Sequence, residues 1–447
     1  MISGRVRAAG AILGFVLGVF PAMALAQTEP MLPVPILPVA PNVPLQTNIP
    51  LEGGQTVDNR SRPELDPLGF RAGQFFFFPR FELDEAYSDN IFATRSNTKD
   101  DLITVLAPAL DIRSNFGTNA LNLTAGAFIS KYLGHSFFDT YDPYIRTDGR
   151  LDVDAVHDLH GTLHYERQHE DPGSPDFAGN AAQPVRYTTY GGTGGFEQTK
   201  LRVNYSVDVA AVRSEYEAVP AVGGGTVLES DRNNWGYELA LRGGYEFRTG
   251  YQAFVRGTAN LRDYDHAAIG SPIRSSYGFR TDVGVRIDLT GVTYIDAYVG
   301  YLDQIYESAL LGSISGPDFG ANLVWNATEL TSVSFNVSRN VQDAPTSVVG
   351  VGALVPGYFH TVVGARVDHE LLRNLLLNGQ VSYANDDFQG EDRTDSDYLA
   401  SFGAKYLLNR NLYLGATYTF EHRDSSGAQA INQFNRNIFM LRASTQF

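Results

Sequence analysis

The sequence predicts an all-β protein, a transmembrane antiparallel up-and-down β-barrel of about eighteen strands, with about sixteen strands as the alternative. Long segments alternate apolar and polar residues with a period of two, as β-strands do. The connections between these segments alternate between short and long. After the first 26 residues, no apolar stretch reaches the roughly 20 residues that a membrane-spanning helix needs. A closed barrel is the other structure that satisfies every backbone polar group in lipid.

Composition restricts the kinds of site that the chain can form. It has no Cys, which excludes disulfides and thiolate sites, and its 24 Tyr and 27 Phe suit half-buried sheets and membrane interfaces. The formal net charge of -16 argues against a nucleic-acid partner, because binding to phosphates requires clustered Lys and Arg. We therefore expect no nucleic-acid partner. We also predict no cofactor.

Residues 1–26 have the features of a secretory signal peptide. Arg5 and Arg7 supply the positive start, a short apolar run follows, and Ala24-Leu25-Ala26 fits the small-residue cleavage rule. We predict cleavage before Gln27, which directs the chain out of the cytoplasm.

Residues 27–69 are predicted to form a periplasmic linker. Closely spaced prolines between Pro30 and Pro50 favour extended polyproline II, which makes a semi-rigid spacer. The alternative is a docking strip for a periplasmic partner. The barrel is predicted over residues 70–447.

The alternating segments predict two different faces for the barrel wall. The segments 201–209, 235–241, 279–289, 398–406 and 412–421 carry mostly apolar residues at every second position, and charged residues occur only at positions of the other face. In a soluble sandwich the charged residues would face water and the apolar ones would form the core. In a barrel the apolar face meets lipid and the charged face lines the lumen. The predicted lumen-lining residues are Arg146, Asp148, Arg150, Asp152, Arg202, Asp208, Glu238, Arg242, Arg256, Arg262, Arg280, Asp282, Arg286, Asp288, Arg366, Asp368, Lys405, Glu421 and Arg442.

The connections favour the barrel and set its orientation. About eight short turns, such as 248–250 and 409–411, alternate with about nine long connections, such as 168–186 and Asn385–Asp397. Periplasmic turns are short and surface loops are long in such barrels. The first connection is long and the strand number is even, so we predict that both termini lie in the periplasm. A β-propeller would show shorter strands and a repeat of roughly 40 residues.

The last strand carries a further indication. Phe439, Leu441 and Phe447 share one face of it, and the sequence ends on Phe447. This pattern resembles the closing strand of bacterial outer-membrane barrels, whose final Phe is part of the signal that the barrel assembly machinery reads. The alternative is an ordinary amphipathic strand at the end of a soluble sheet.

Residues 70 to 180 also carry motifs of a known family. Pro79 precedes Tyr87-Ser88-Asp89-Asn90-Ile91-Phe92, then come Leu106-Ala107-Pro108, Tyr165-Glu166-Arg167 and Gly173-Ser174-Pro175-Asp176. The chain thereby resembles a family of predicted outer-membrane β-barrel porins of Gram-negative bacteria, although Gln168–Pro172 lengthens one connecting segment. The resemblance implies a role in capsule or exopolysaccharide export, with polysaccharide and a periplasmic polysaccharide-export protein as partners.

The sequence supports no catalytic or metal site. It contains neither a Gly-x-Ser-x-Gly elbow nor a His-Glu-x-x-His motif, so we predict that the protein is not an enzyme. In a strand, His160 and His164 would lie roughly 13 Å apart, too far to share one metal ion, so lumen or turn positions are favoured. The acidic segment Asn385–Asp397 lacks EF-hand spacing and is predicted to be a solvated surface loop.

Three functions agree with these observations. The first is an exopolysaccharide secretion porin in the outer membrane, fed by a periplasmic partner. The second is a general diffusion porin, and the third is a surface adhesin or structural barrel whose long loops carry the function. Charges of both signs would make a hydrated wall that suits sugars and polar solutes, or would only keep the lumen wet and rigid.

Overall fold

The computed structural model describes residues 56–175, 177–289, 291–344, 354–428, 430 and 433–447. The predicted signal peptide and most of the predicted linker lie outside these residues. No helix among the described residues is long and apolar enough to cross a membrane. The strands are β1 (Phe70–Ala72), β2 (Phe75–Ser88), β3 (Asp101–Ser114), β4 (Ala120–Tyr132), β5 (Thr140–Asp152), β6 (His157–His169), β7 (Arg186–Lys200), β8 (Val203–Tyr216), β9 (Val219–Pro220), β10 (Thr226–Val227), β11 (Asn234–Arg248), β12 (Tyr251–Tyr264), β13 (Ser276–Leu289), β14 (Thr293–Tyr306), β15 (Ile314–Thr328), β16 (Thr331–Asp343), β17 (Gly357–Leu372), β18 (Leu375–Gln389), β19 (Thr394–Asn409), β20 (Leu412–Ser426) and β21 (Phe434–Gln446).

Eighteen of these strands form one closed antiparallel barrel, β2–β8 together with β11–β21. Each of them pairs with the next barrel strand along the chain. The last strand, β21, closes the wall on the first, β2, from Arg80 opposite Gln446 to Ser88 opposite Ile438. Strand β1 only extends the edge of β2, and β9 and β10 form a separate small hairpin. The prediction of eighteen strands is confirmed, and the alternative of sixteen is wrong.

The two ends of the barrel differ in the length of their connections. Eight connections of two to five residues lie at one end, here called the short-turn end, and nine lie at the other, the long-loop end. The longest of the nine spans 217–233. One prediction fails here, because the acidic segment Asn385–Asp397 belongs mostly to β18 and β19, which are joined by residues 390–393 alone.

This acidic segment is not a solvated loop. Asp386 and Asp395 are both buried. His360 lies 2.5 Å from Asp386, and Arg393 lies 2.5 Å from Asp395. The many carboxylates and small residues of the segment give it the composition of a loop. Here Asp395 is paired with Arg393 of the connection, Asp397 is paired with Arg423 of β20, and Asp386 is hydrogen-bonded to His360, so the strands continue through these carboxylates.

The side chains of the wall alternate between an exposed apolar face and a buried polar one. On β2, Phe81 and Leu83 are exposed, whereas Glu82 and Asp84 are 1% and 0% exposed. Phe402 and Leu441 are exposed in the same way on β19 and β21. This arrangement reverses that of a soluble protein, and it is the arrangement that lipid outside and a polar interior require.

Candidate functional site

The predicted lumen-lining residues can now be placed on the wall. Eighteen of the nineteen occupy inner-face strand positions, opposite the exposed apolar residues: Arg146, Asp148, Arg150, Asp152, Asp208, Glu238, Arg242, Arg256, Arg262, Arg280, Asp282, Arg286, Asp288, Arg366, Asp368, Lys405, Glu421 and Arg442. The exception is Arg202, which lies with Leu201 in the turn between β7 and β8. Leu201 has a φ of 58°, so the backbone turns before the strand begins. That these residues line a solute path stays a prediction.

Inner-face charges are paired mainly between neighbouring strands. Arg256 contacts Asp282 at 2.7 Å, and Arg286 contacts Asp296 at 3.0 Å. Each pair joins two adjacent strands, β12 to β13 and β13 to β14. Pairing of this kind stabilises charges that are largely withdrawn from water, and loss of one partner would leave the other uncompensated.

Several inner-face residues were not found from the sequence. The most prominent are on β2, where Arg442 of β21 pairs with Asp84 at 2.7 Å and with Glu82 at 3.3 Å across the closing contact of the barrel. The alternation of Glu82 and Asp84 with Phe81 and Leu83 carries the same period-two signal as the other strands. The run of aromatic residues just before it, Phe75–Phe78, obscures that signal.

One histidine forms a contact that spans three strands. His160 Nε2 on β6 lies 2.8 Å from Asp208 Oδ1 on β8, across Gly195 of β7. A Cβ atom added at Gly195 would lie 2.2 Å from both of these atoms, so glycine is what leaves room for the hydrogen bond. His157 instead contacts Asp154 in a turn, and this hydrogen bond lowers the pKa of Asp154. Within the described ranges no group of three or more potential metal ligands occurs.

We expect Gly195→Val to destabilise the barrel by about 1–3 kcal/mol, because the added side chain would overlap His160 and Asp208. The temperature at which the folded barrel loses its heat-modifiable gel mobility measures the effect. Gly194→Val is the matched control, since a Cβ there meets only Val209 at 3.9 Å on the outer face. Equal shifts in the two variants would contradict the explanation.

At the long-loop end, the 89–100 connection folds over the inner face. Ile91 packs in a buried cluster with Ala86, Ile103 and Ile438, which point inward from β2, β3 and β21. Asn90 is buried beside it and donates hydrogen bonds to the backbone oxygens of Thr94 and Asn435, at 2.8 Å each. This connection therefore narrows the interior rather than extending away from it.

The 170–185 connection is also held inside the barrel. Asp171 pairs at 3.0 Å with Arg436, an inner-face residue of β21 that also pairs with Glu421 of β20. Glu170 pairs at 2.6 Å with Arg232 of the 217–233 connection. The two connections pack through a buried apolar cluster that includes Ala178, Val185 and Val227.

A third inward structure is the end of the β16–β17 hairpin. Pairing between β15 and β16 stops at Gly320 and Ser338, although β15 begins at Ile314 and β16 continues to Asp343. From Ser338 toward the long-loop end, β16 stays paired with β17, and the two strands lie against the inner face of β12–β15. We call this overlap the seam.

Polar and apolar contacts both hold the seam. Asp343 accepts hydrogen bonds from Arg262 at 2.7 Å, Tyr264 at 2.7 Å and Tyr306 at 2.8 Å. Val341 and Phe359 pack in a buried cluster that also contains Leu302, Tyr306, Leu311 and Ile314. The seam therefore brings a hairpin end into the interior on the side opposite β2–β7.

At the short-turn end, residues 56–66 lie across part of the opening. Arg60 and Arg62 both contact Glu370 of β17, at 2.6 and 3.0 Å, and Arg62 is 3% exposed. The Val57 N–H donates to Ser332 Oγ at 2.8 Å, and Arg366 contacts Asp58 at 3.3 Å. We call residues 56–66 the N-terminal strap; these contacts of Val57, Asp58 and Arg62 lie on β16 and β17.

An exposed ion pair anchors the strap farther out. Arg373, in the turn after β17, contacts Glu64 at 2.6 Å, and this hydrogen bond lowers the pKa of Glu64. Arg410, in the turn after β19, donates to the Pro63 carbonyl at 3.3 Å. The strap is therefore fixed at the short-turn end to β16, to β17 with the turn that follows it, and to the turn after β19.

Comparison with known structures returns porins at low sequence identity. Pseudomonas aeruginosa OpdO is 13% identical, with a TM-score of 0.44 over 84% of this chain and 98% of that one. Pseudomonas aeruginosa OccK2 (OpdF) is 10% identical, with a TM-score of 0.45 over 83% and 98%. Acinetobacter baumannii OccAB3 is 12% identical, with a TM-score of 0.42 over 83% and 99%. No curated protein matches the chain.

The family comparison is specific. A model described as "Putative beta-barrel porin 2" matches residues 62–447, which is most of the chain and all eighteen barrel strands. The comparisons do not show the association with capsule or exopolysaccharide export that the resemblance implied. Porins are channels of the Gram-negative outer membrane and not enzymes, as the sequence predicted. The chain belongs to the family of outer-membrane β-barrel porins described as Putative beta-barrel porin 2.

Proposed function

We propose that the protein is a diffusion channel for small hydrophilic solutes. The observation that carries this proposal is the inner wall, where acidic and basic side chains of most strands interleave in pairs such as Arg256–Asp282 and Arg442–Asp84. Such a wall offers hydrogen bonds and opposed charges to a polar solute and does not favour one sign of ion. The eighteen predicted inner-face residues are the proposed lining of that path.

Passage of a polymer has less support than passage of small solutes. The connections 89–100 and 170–185 and the seam all fold inward at the long-loop end, and the strap lies across the short-turn end. Each of these four structures narrows the interior at a different point of the circumference. No specific observation therefore favours the polysaccharide-export protein and the polymer that the resemblance implied. The same holds for an adhesin.

The proposal includes an organisation for the whole chain. Residues 1–26 act as a signal peptide and residues 27–69 as a periplasmic linker whose last part forms the strap. Phe439, Leu441 and Phe447 lie in or beside the closing strand β21 and serve as the signal for the barrel assembly machinery. Both termini face the periplasm, since the short-turn end is the periplasmic one in barrels of this type.

The test is the conductance of the purified, refolded barrel in a planar lipid bilayer. We expect steady ohmic channels whose current scales with salt concentration. Heat-modifiable gel mobility of the same preparation establishes that the barrel is folded. A folded barrel that leaves the bilayer silent would overturn the diffusion channel.

A further inference from the structure

A cavity of about 1110 Å3 lies at the long-loop end of the barrel. Six of the nine long connections contribute to it: 89–100, 133–139, 170–185, 217–233, 265–275 and 427–433. Arg423 of β20 and Phe434 of β21 reach it from the inner face of the wall. These elements surround more than half of the circumference, so the cavity lies over the entrance to the interior. We call it the vestibule.

The vestibule combines aromatic and uncharged polar residues, whereas the wall below it carries mainly charged side chains. Five phenyl rings line it, those of Phe92, Phe137, Phe138, Phe177 and Phe434. Among its described lining residues only Asp231 and Arg423 are charged, and Arg423 is already held by two hydrogen bonds to Asp397, at 2.6 and 2.7 Å. A hydrophilic solute can form hydrogen bonds to polar groups of this lining such as Thr94, Asn180 and Ser230. A solute with an apolar group would in addition withdraw that group from water against the rings.

The rings are fixed in place and still accessible. Phe138 is buried, with its ring centroid 5.0 Å from that of Phe92 and 5.2 Å from that of Phe137. Phe137 is 50% exposed, and the Ile269 side chain, also in the lining, is 84% exposed. A solute can therefore contact Phe137 and Ile269 without displacing the packed cluster beneath them.

The connections that shape the vestibule are tied to the barrel. Asp171 holds the 170–185 connection to Arg436, and Glu170 ties it to Arg232. Asp101 accepts a hydrogen bond from the Gly134 N–H at 2.9 Å and contacts His135 at 2.8 Å, which fixes the start of the 133–139 connection. A preformed site loses less entropy on binding than one that must be ordered first.

We propose that the vestibule is a binding site for small solutes that carry an aromatic ring next to hydroxyl groups. This inference rests on the proposed function and names the class of solute that the channel favours. The ring packs against the phenyl groups of the vestibule, and the hydroxyl groups face the polar wall on the way in. The volume of about 1110 Å3 lies slightly above the roughly 300–1,000 Å3 of pockets that hold drug-sized compounds, so the vestibule has room for a small molecule.

A pair of glucosides that differ only in the aglycone tests this proposal. Binding of phenyl β-D-glucoside and methyl β-D-glucoside to the detergent-solubilised full-length barrel is measured by calorimetry. We expect the dissociation constant of the phenyl compound to be at least about tenfold lower, because only the phenyl compound buries a ring. In a planar bilayer, the phenyl compound added at the long-loop side should block the current at correspondingly lower concentration.

Two variants place the binding in the vestibule. Phe137→Ala and Ile269→Ser should each raise the dissociation constant of the phenyl compound severalfold and leave that of the methyl compound unchanged. Ile269→Ser keeps the test decisive if Phe137→Ala fails to fold, since Ile269 is almost fully exposed. Phe402→Ala is the matched control, because Phe402 is 60% exposed on the lipid-facing side of β19.

The outcomes separate this inference from the diffusion channel. Equal dissociation constants for the two glucosides would overturn the inference, and so would an equal loss in Phe402→Ala, which would locate binding on the outer surface. A conducting barrel with no preference for the phenyl compound overturns the inference alone. A silent bilayer overturns the diffusion channel, while the calorimetry still decides whether the vestibule binds a ring.

Discussion

Glu370→Ala is expected to release the N-terminal strap from the barrel. Glu370 is the shared partner of Arg60 and Arg62, and the side chains of Arg62 and Glu370 are 4% and 5% exposed. Its removal leaves Arg62 buried without its carboxylate, which costs about 3 kcal/mol or more in such pairs. Trypsin cleavage after Arg60, which requires the strap to open, should become about a hundredfold faster. The single-channel current should also rise, because the strap lies across part of the short-turn end.

The exposed pair at the end of the same strap provides the control. Glu64 and Arg373 contact each other at 2.6 Å, but about half of each side chain is exposed. Exposed pairs contribute little, so Glu64→Gln should change the cleavage rate by severalfold at most. Similar rates in the two variants would show that the buried pair does not hold the strap. Unchanged current in a Glu370→Ala barrel with a cleaved strap would show that the strap does not restrict the opening.

The barrel was predictable because its signal is local and repeated. On β13, the alternation of Phe279, Thr281 and Val283 with Arg280 and Asp282 specifies which side chains face inward, and the same rule places eighteen of nineteen predicted residues. The rule fails only where alternation does not coincide with a strand. Arg202 lies in a turn, and the acidic residues around Asp386 resemble a loop in composition yet lie in strands.

The narrowing of the interior was not predictable, because its signal is neither local nor repeated. It depends on single contacts between residues far apart in sequence, such as Asp171 with Arg436, separated by 265 positions, and Arg62 with Glu370, separated by 308. An aspartate in a long connection has the same sequence appearance whether it faces water or pairs across the lumen. The sequence therefore predicts the wall, whereas the positions of connections and strap follow only from three-dimensional packing.

Asp343→Ala is expected to open the seam. Asp343 accepts hydrogen bonds from Arg262, Tyr264 and Tyr306, so its loss leaves one cation and two hydroxyl groups without their acceptor. We expect a destabilisation of about 3 kcal/mol, at the lower end for buried pairs because a quarter of the Arg262 side chain is exposed. The folded variant should show a larger and noisier single-channel current, since the hairpin end then moves away from the inner wall. Thermal loss of heat-modifiable mobility and bilayer recordings measure the two effects.

Asp288→Ala separates this effect from a general loss of inner-face charge. Asp288 also lies on the inner face, at the short-turn end of β13, but it is exposed and accepts a hydrogen bond only from the Gly291 backbone among its described contacts. Its replacement should leave stability and current noise nearly unchanged. If both variants became equally noisy, net charge and not the seam would govern the current. If Asp343→Ala were destabilised but as quiet as the unmodified barrel, the apolar cluster around Val341 and Phe359 would be sufficient to hold the hairpin end inside.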